Sequence, residues 1–193
     1  MATLNGSFDV DTSGWTPDGT STITRQTTTY VTPPASAVIV TDGTADHGAT
    51  YSMAGDAVQN GTYDATAYVQ QHGVGDNGRQ VYISLVSVGG TAESGLGTPV
   101  SLGAGWQQVT VTKQFVNASH TAALICIRQS GAGAAINCDV DLVQFGRRLT
   151  YNGAGNPLNS GLWVPGVPAG NGTVYNNDAL TAALIASGLY TGA

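Results

Sequence analysis

Two segments of the chain place aromatic, amide and hydroxyl side chains on one side of an alternating pattern. In residues 62–71 and 79–88 apolar residues alternate with polar ones, which is typical of half-buried β-strands. Aromatic rings stack on the C–H side of a pyranose ring, while amides and hydroxyls bond its hydroxyl groups. The polar side of both segments therefore predicts a carbohydrate-binding surface, for which a plain solvated sheet face is the alternative. Its residues are Thr66, Tyr68, Gln70, Gln80, Tyr82 and Ser84, with Arg79 at the edge.

No catalytic pattern accompanies this surface. His47, His72 and His120 are far apart in the sequence, in segments predicted to be loops. Glu93 is the only glutamate among the 12 acidic residues, and the aspartates occur mostly in turn-like contexts. A carboxylate pair for glycoside hydrolysis is therefore not expected. The sequence predicts binding or a structural role rather than an enzyme.

Composition excludes two classes of partner. The formal net charge is -6, Lys113 is the only lysine, and Arg147–Arg148 is the only basic pair. Nucleic-acid binding requires clustered Lys and Arg, so nucleic acid is not an expected partner. No stretch approaches the roughly 20 apolar residues that span a bilayer, which argues against membrane insertion. The N-terminus lacks the basic and apolar regions of a signal peptide, which predicts a protein made in a cytoplasm and not exported.

The two cysteines leave two interpretations open. Cys126 and Cys138 lie symmetrically about Ala132. If the residues between them form a hairpin turn, the thiols face each other across paired strands and a disulfide is geometrically feasible. Two buried reduced thiols are the other interpretation, and a cytoplasmic product favours it.

The elements that would position the surface are short antiparallel strands. Period-2 alternation recurs over most of the chain, and the abundant Gly, Thr and Val favour strands and turns. The expected fold is an all-β antiparallel sandwich over residues 1–146. Besides the two segments above, strands are predicted at residues 20–29, 37–41, 49–53, 106–115, 122–128 and 135–145, the last two as a final hairpin.

Four motifs in order resemble a known family. They are L-N-G-S-F-D-V-D-T-S-G-W at residues 4–15, G-T-Y-D-A-T-A-Y-V-Q at 61–70, G-W-Q-Q-V-T-V-T at 105–112 and I-N-C-D-V-D-L at 136–142. Together they resemble carbohydrate-binding modules of the family 4/9/22 type. The resemblance implies a jelly roll whose first and last strands are neighbours, with the polar face as a concave cleft. It also implies that Trp15 and Trp106 are packing residues.

The same resemblance implies a structural Ca²⁺. Asp9 stands at the acidic position of the opening motif, and Asp139 matches the second aspartate of the family's closing D-D-V pattern. In the family, carboxylates near these positions, together with backbone carbonyls, can hold the cation, and hard oxygen ligands from two distant strands would tie the termini of the sandwich together. Here Cys138 replaces the first aspartate of the pair and removes one ligand. The alternative is that Asp9, Asp11 and Asp139 are turn residues or solvated charges.

The remaining residues, 147–193, differ in composition from the predicted sandwich. They are rich in Gly, Asn and Pro up to about Tyr175, which predicts an extended arm. A short helix is predicted at about residues 178–187, and at that length it needs a surface to dock on. The predicted assembly anchors are Trp163, Leu180, Leu184, Ile185 and Tyr190.

These features together suggest a virion protein. Residues 175–190 are similar to segments of minor tail proteins of actinobacterial phages, which often carry this type of carbohydrate-binding domain. The sequence therefore predicts a phage structural protein of the tail tip or capsid surface. The arm would bind other virion subunits in a homo-oligomeric assembly, and the sandwich would attach to a host-surface polysaccharide. The alternatives are a carbohydrate-binding module of a polysaccharide-degrading enzyme and a purely structural decoration protein.

Overall fold

The computed structural model describes residues 4–54 and 59–148, and in these ranges the chain is all-β apart from one 3₁₀ turn at Val74–Asp76. The predicted helix and the five predicted anchor residues lie outside the described residues. The strands are β1 (Trp15–Pro17), β2 (Thr22–Gln26), β3 (Ser36–Val40), β4 (Gly48–Ala54), β5 (Gly61–Gln71), β6 (Gln80–Val88), β7 (Ser94–Leu96), β8 (Val100–Ser101), β9 (Gln107–Phe115), β10 (Ala122–Gln129) and β11 (Asn137–Arg148).

The strands form two antiparallel sheets that pack face to face, which confirms the predicted jelly-roll sandwich. Sheet A has the order β1-β4-β10-β6-β7, with β8 also paired to β6, and sheet B has the order β2-β3-β11-β5-β9. Alternating apolar residues of both sheets fill the space between them, as the period-2 pattern predicts. On β5, for example, the core residues are Tyr63, Ala65, Ala67 and Val69.

The predicted final hairpin is wrong, because β10 lies in sheet A and β11 lies in sheet B. Residues 130–136 therefore cross between the sheets instead of forming a hairpin turn. Cys126 and Cys138 are both free and buried. Burial raises the pKa of the Cys126 thiol to about 11 and that of the Cys138 thiol to about 12. The interpretation as two buried reduced thiols is the one that the structure supports.

The opening motif packs the N-terminal segment against the last strand. The backbone N–H of Val143 donates to the carbonyl of Gly6 at 2.8 Å, and a β-carbon at Gly6 would overlap that part of β11. Trp15 is buried between Phe8 and Tyr51, with ring centroids at 5.6 and 5.4 Å. The expectation that Trp15 is a packing residue is thus confirmed. The segment before β1 lies beside β11, but β1 itself pairs with β4 in sheet A and is not a neighbour of β11 within a sheet.

A buried ionic cluster closes one end of the sandwich. The Glu93 side chain, 7% exposed, accepts hydrogen bonds from the backbone N–H groups of Val116 and Asn117 at 3.0 and 2.6 Å. Lys113 lies 3.3 Å away and His120 Nε2 lies 3.0 Å away. Glu93 thereby fixes the loop that joins β9 to β10.

No helix among the described residues is long and apolar enough to cross a membrane.

Candidate functional site

The predicted sugar-binding residues do not share one face. β5 belongs to sheet B and β6 belongs to sheet A, and the polar side of each strand faces away from the core between them. Thr66, Tyr68 and Gln70 therefore lie on one outer side of the sandwich, whereas Gln80 and Tyr82 lie on the other. The prediction of a single surface built from both strands is wrong, because alternation along a strand does not specify its sheet.

On sheet A most of the predicted sugar-binding residues are buried or make hydrogen bonds within the protein. Tyr82 is 5% exposed, and its hydroxyl donates to Asp46 Oδ1 at 2.6 Å. Burial raises the Tyr82 pKa, and the hydrogen bond with Asp46 raises it further. Arg79 donates through Nη2 to the carbonyl of Ala134 at 2.5 Å, and Ser84 is fully buried. Of this half, only Gln80 is exposed.

On sheet B the predicted residues form the middle of a broad polar face. Tyr68 is paired with Gln108 of β9 on one side and with Asp141 of β11 on the other. Thr66 is paired in the same way with Thr110 and Gln144. Hydroxyl, amide and carboxylate groups thus surround a half-buried tyrosine ring. This set of donors and acceptors matches the hydroxyl groups of a sugar chain.

Trp106 adds a second aromatic residue to this face. It directly precedes β9, is half-buried, and is not one of the buried core residues. Strand alternation continued by one residue places it on the outer side with Gln108. The pairing of Val69 with Gln107 sets Trp106 beside Gln70. The expectation that Trp106 is a core packing residue is therefore wrong.

A histidine–carboxylate pair lies at one end of the same face. Asp139, 2% exposed, accepts a hydrogen bond from Gln70 Nε2 at 3.0 Å and lies 2.6 Å from His72 Nδ1. The His72 side chain is 45% exposed. The buried carboxylate fixes the orientation of the imidazole ring and leaves its Nε2 edge available to a ligand. Sequence reasoning missed this pair because His72 and Asp139 are distant in sequence.

A depression opens on the opposite end of the face. Its volume is about 600 Å³, which falls within the range of small-molecule sites. It lies between the N-terminal segment, β5 and the irregular part of β11, where the register shifts between Asp141 and Gln144. Its lining residues are Leu4, Asp64, Thr66, Val143, Gln144, Phe145 and Gly146.

The two residues expected to hold calcium, Asp9 and Asp139, lie on the N-terminal segment and on β11. In the ranges 4–54 and 59–148 no group of three or more His, Cys, Asp or Glu side chains could hold a metal ion. Both carboxylate oxygens of Asp139 are engaged by Gln70 and His72. At Asp9 the backbone carbonyl accepts a hydrogen bond from Arg25 Nη2 at 2.7 Å. The structural Ca²⁺ stays a prediction.

The fold is thus an antiparallel β-sandwich with an open polar face on sheet B and a shallow depression at one end of that face. The family described as "Carbohydrate binding domain", of the family 4/9 type, matches residues 2–124. The chain therefore belongs to this carbohydrate-binding domain family, which is non-catalytic by itself.

Solved structures support the same fold. The CBM22-1 xylan-binding domain of Paenibacillus barcinonensis Xyn10C is 17% identical, covers 75% of this chain and 92% of its own, and has a TM-score of 0.62. The C-terminal family 22 module of Clostridium thermocellum Xyn10B is 15% identical over 74% of this chain and 90% of its own, at a TM-score of 0.59.

A phage protein is also similar in structure. The enzymatically active domain of tailspike protein 4 of bacteriophage CBA120 is 18% identical, covers 75% of this chain and 21% of its own, and has a TM-score of 0.54. At these identities the likeness shows the fold alone. No curated protein sequence matches the chain.

Proposed function

We propose that this domain binds a polysaccharide across the outer face of sheet B. The observation that carries the proposal is the half-buried Tyr68 on that face, beside which strand alternation places Trp106. Tyr68 pairs with Gln108, and Trp106 stands two residues before Gln108 on the same side, so the two aromatic residues are diagonal neighbours within side-chain reach. Two adjacent rings flanked by amides and hydroxyls suit successive sugar units of an extended chain.

The charge of the face favours a neutral glycan. Asp64, Asp139 and Asp141 lie on the outward side of β5 and β11. None of the side chains described on that side of these two strands belongs to Lys or Arg. The negative potential of these carboxylates, two of them buried beneath the face, would repel an acidic polysaccharide. Neutral xylan is a reasonable first ligand, since the Paenibacillus barcinonensis neighbour is a xylan-binding domain and Xyn10B of Clostridium thermocellum is an endo-1,4-β-D-xylanase.

Binding of xylohexaose, measured by isothermal titration calorimetry, tests the proposal. Alanine at Tyr68 or at Trp106 is expected to raise Kd about tenfold, equivalent to about 1.4 kcal/mol, because a stacking ring is lost. Ser52→Ala is the matched control, because Ser52 is exposed on β4 of the opposite sheet and should leave Kd unchanged.

Other ligands are tested by native gel affinity electrophoresis, which measures retardation of the protein by each member of a panel of neutral and acidic polysaccharides. Absence of retardation by every polysaccharide would overturn the proposed function and favour a purely structural protein. Retardation by acidic polysaccharides alone would overturn the proposal of a neutral ligand and leave binding intact.

A place on a phage particle is the second part of the proposal. It is supported by the structural similarity to a tailspike domain and by the resemblance of residues 175–190 to phage tail proteins. In this arrangement residues 149–193 bind neighbouring virion subunits, many copies give avidity for a weakly bound glycan, and the protein is located in the virion. A module of a polysaccharide-degrading enzyme is the competing placement, supported by the similarity to a module of Xyn10B, an endo-1,4-β-D-xylanase of Clostridium thermocellum.

Removal of residues 149–193 separates the two placements. The shortened chain retains all strands of the sandwich, so its circular dichroism spectrum and glycan Kd are expected to stay unchanged. Incorporation into particles, followed by mass spectrometry of purified virions from a complemented infection, is expected to be lost. Unchanged incorporation would contradict the anchoring role, and an absence of the full-length protein from particles would favour the enzyme module.

A further inference from the structure

The loop between β2 and β3 is fastened at two points. On one side of Tyr30, the Ser36 hydroxyl donates to the carbonyl of Thr29 at 2.5 Å. On the other side, the backbone N–H groups of Val31 and Thr32 donate to Asp141 Oδ2 at 2.7 and 2.8 Å. A carboxylate that accepts paired backbone N–H groups makes charge-assisted hydrogen bonds, which are stronger than neutral ones. The backbone on both sides of Tyr30 is thus held in place.

The second fastening point lies on the proposed sugar-binding face. Asp141 is fully buried and is the strand partner of Tyr68. Its side chain lies on the outer side of sheet B, two residues after Asp139 on the same strand. The loop must therefore fold over this side of the sheet to reach the Asp141 carboxylate. The irregularity that follows Asp141 interrupts the pairing with β5, which resumes at Gln144. The Asp141 carboxylate also accepts the N–H of Leu142 at 2.6 Å.

Tyr30 is the large apolar side chain that the fastened segment leaves in solvent, with 39% of its surface exposed. An exposed aromatic residue on a mobile loop would lose conformational entropy when it stacks on a sugar, whereas a residue on a held backbone loses less. The neighbouring residues Val31 and Thr32 are only partly exposed, because they lie against Asp141.

We infer that the β2–β3 loop, residues 27–35, is a wall of the binding face, in which Tyr30 stacks on a pyranose ring and Asp141 is the positioning residue. The inference rests on the proposed function and adds a subsite beside Tyr68, on the β11 side of the sheet. Tyr30 contacts the glycan, whereas Asp141 acts only through the loop. Affinity in this subsite depends on a buried carboxylate that no ligand touches.

Two variants and two readouts test this inference. Tyr30→Ala is expected to raise the Kd for xylohexaose, or for the best ligand of the panel, about fivefold to tenfold, as loss of one stacking ring predicts. Tyr30→Phe is expected to bind as wild type, since the ring is retained. Val74→Ala, which alters a 91% exposed side chain in another loop, is the control and should not change Kd.

Hydrogen exchange tests the positioning role without any ligand. In the wild type the amides of Val31 and Thr32 are expected to exchange slowly, and in Asp141→Asn they are expected to exchange at least tenfold faster while the β5 amides stay protected. Asp141→Asn is also expected to weaken glycan binding to about the same extent as Tyr30→Ala.

The outcomes separate the two proposals. If the wild type binds the glycan and Tyr30→Ala binds it with the same Kd, the subsite is overturned and the proposed function stands. Fast exchange of the Val31 and Thr32 amides in the wild type would overturn the positioning role of Asp141. If the wild type binds no glycan, the proposed function and the stacking role of Tyr30 both fail, and slow exchange would leave Asp141 as a structural clamp only.

Discussion

Phe115→Ala is expected to lower the free energy of unfolding by about 3–5 kcal/mol, a large part of the roughly 5–15 kcal/mol of a typical domain. Phe115 is fully buried at the end of β9. Its ring centroid lies 5.5 Å from that of Tyr63 and 5.5 Å from that of His120. Truncation removes the contacts of the ring and leaves a cavity that a stiff sheet cannot close. Urea unfolding followed by tryptophan fluorescence measures the change.

The next residue in the chain provides the control for this prediction. Val116 is 52% exposed, so Val116→Ala is expected to change the free energy of unfolding by less than about 0.5 kcal/mol. Melting temperatures should follow the same order, with a fall on the order of 10 °C for Phe115→Ala. Equal midpoints for the two variants would show that the end of the sandwich is not packed as described.

The sequence predicts the sandwich because burial and local pattern agree along each strand. The alternation on β5 assigns Tyr63 and Val69 to the core and Thr66 and Tyr68 to the outside, and the structure confirms each assignment. Such a pattern needs only the period of the strand and one apolar side. The short strands β1, β7 and β8 were not predicted, since two or three residues are too few to display a period.

An alternating pattern of apolar and polar residues does not predict which of the two sheets a strand joins. β5 and β6 follow one another and have similar patterns, yet they belong to opposite sheets. The same limit produced the incorrect hairpin of β10 and β11. Sheet membership depends on pairing between strands that are distant in sequence. The alternating pattern therefore groups the polar residues of β6 with those of β5, although β6 lies in the other sheet.

The roles of individual polar residues also depend on partners far away in sequence. The Tyr82 hydroxyl donates to Asp46, and the Asp139 carboxylate lies within hydrogen-bond distance of His72. The family pattern predicts that Trp106 packs in the core, although its position one residue before β9 places it on the outer face. One usable signal was present, since Trp106 has the same parity as the polar residues Gln108 and Thr110.

His120 is buried between two hydrogen-bond acceptors. Its side chain is fully buried, Nδ1 lies 2.8 Å from the carbonyl oxygen of Gly89, and Nε2 lies 3.0 Å from Glu93 Oε1. A carbonyl oxygen only accepts, and so does an ionised carboxylate, so both ring nitrogens carry hydrogen when both bonds are made. The hydrogen bond with Glu93 is the largest cause that raises the His120 pKa above its ordinary value of 6.5.

Glu93 shows the opposite shift. Burial would raise its pKa, but hydrogen bonds from the Asn117 and Val116 N–H groups, His120 and Lys113 outweigh burial and lower the pKa from 4.5 to about 2. Because the pKa falls on folding, the Glu93 contribution to stability is present above about pH 4.5 and is lost as the pH falls toward 2. Because the His120 pKa rises on folding, its contribution is present below pH 6.5 and is lost as the pH rises through the raised value.

The cluster is therefore expected to raise the free energy of unfolding of the wild type most between about pH 4.5 and 6.5. Glu93→Gln is expected to abolish much of this stabilisation. A glutamine retains the shape but removes the charge that the buried imidazolium and Lys113 require. Urea midpoints measured from pH 3 to 9 should form a maximum for the wild type and a flatter curve for Glu93→Gln. Val74→Ala, remote and exposed, should reproduce the wild-type curve. Parallel curves for wild type and Glu93→Gln would contradict the argument, because a proton-linked contribution cannot survive removal of the carboxylate on which both shifts depend.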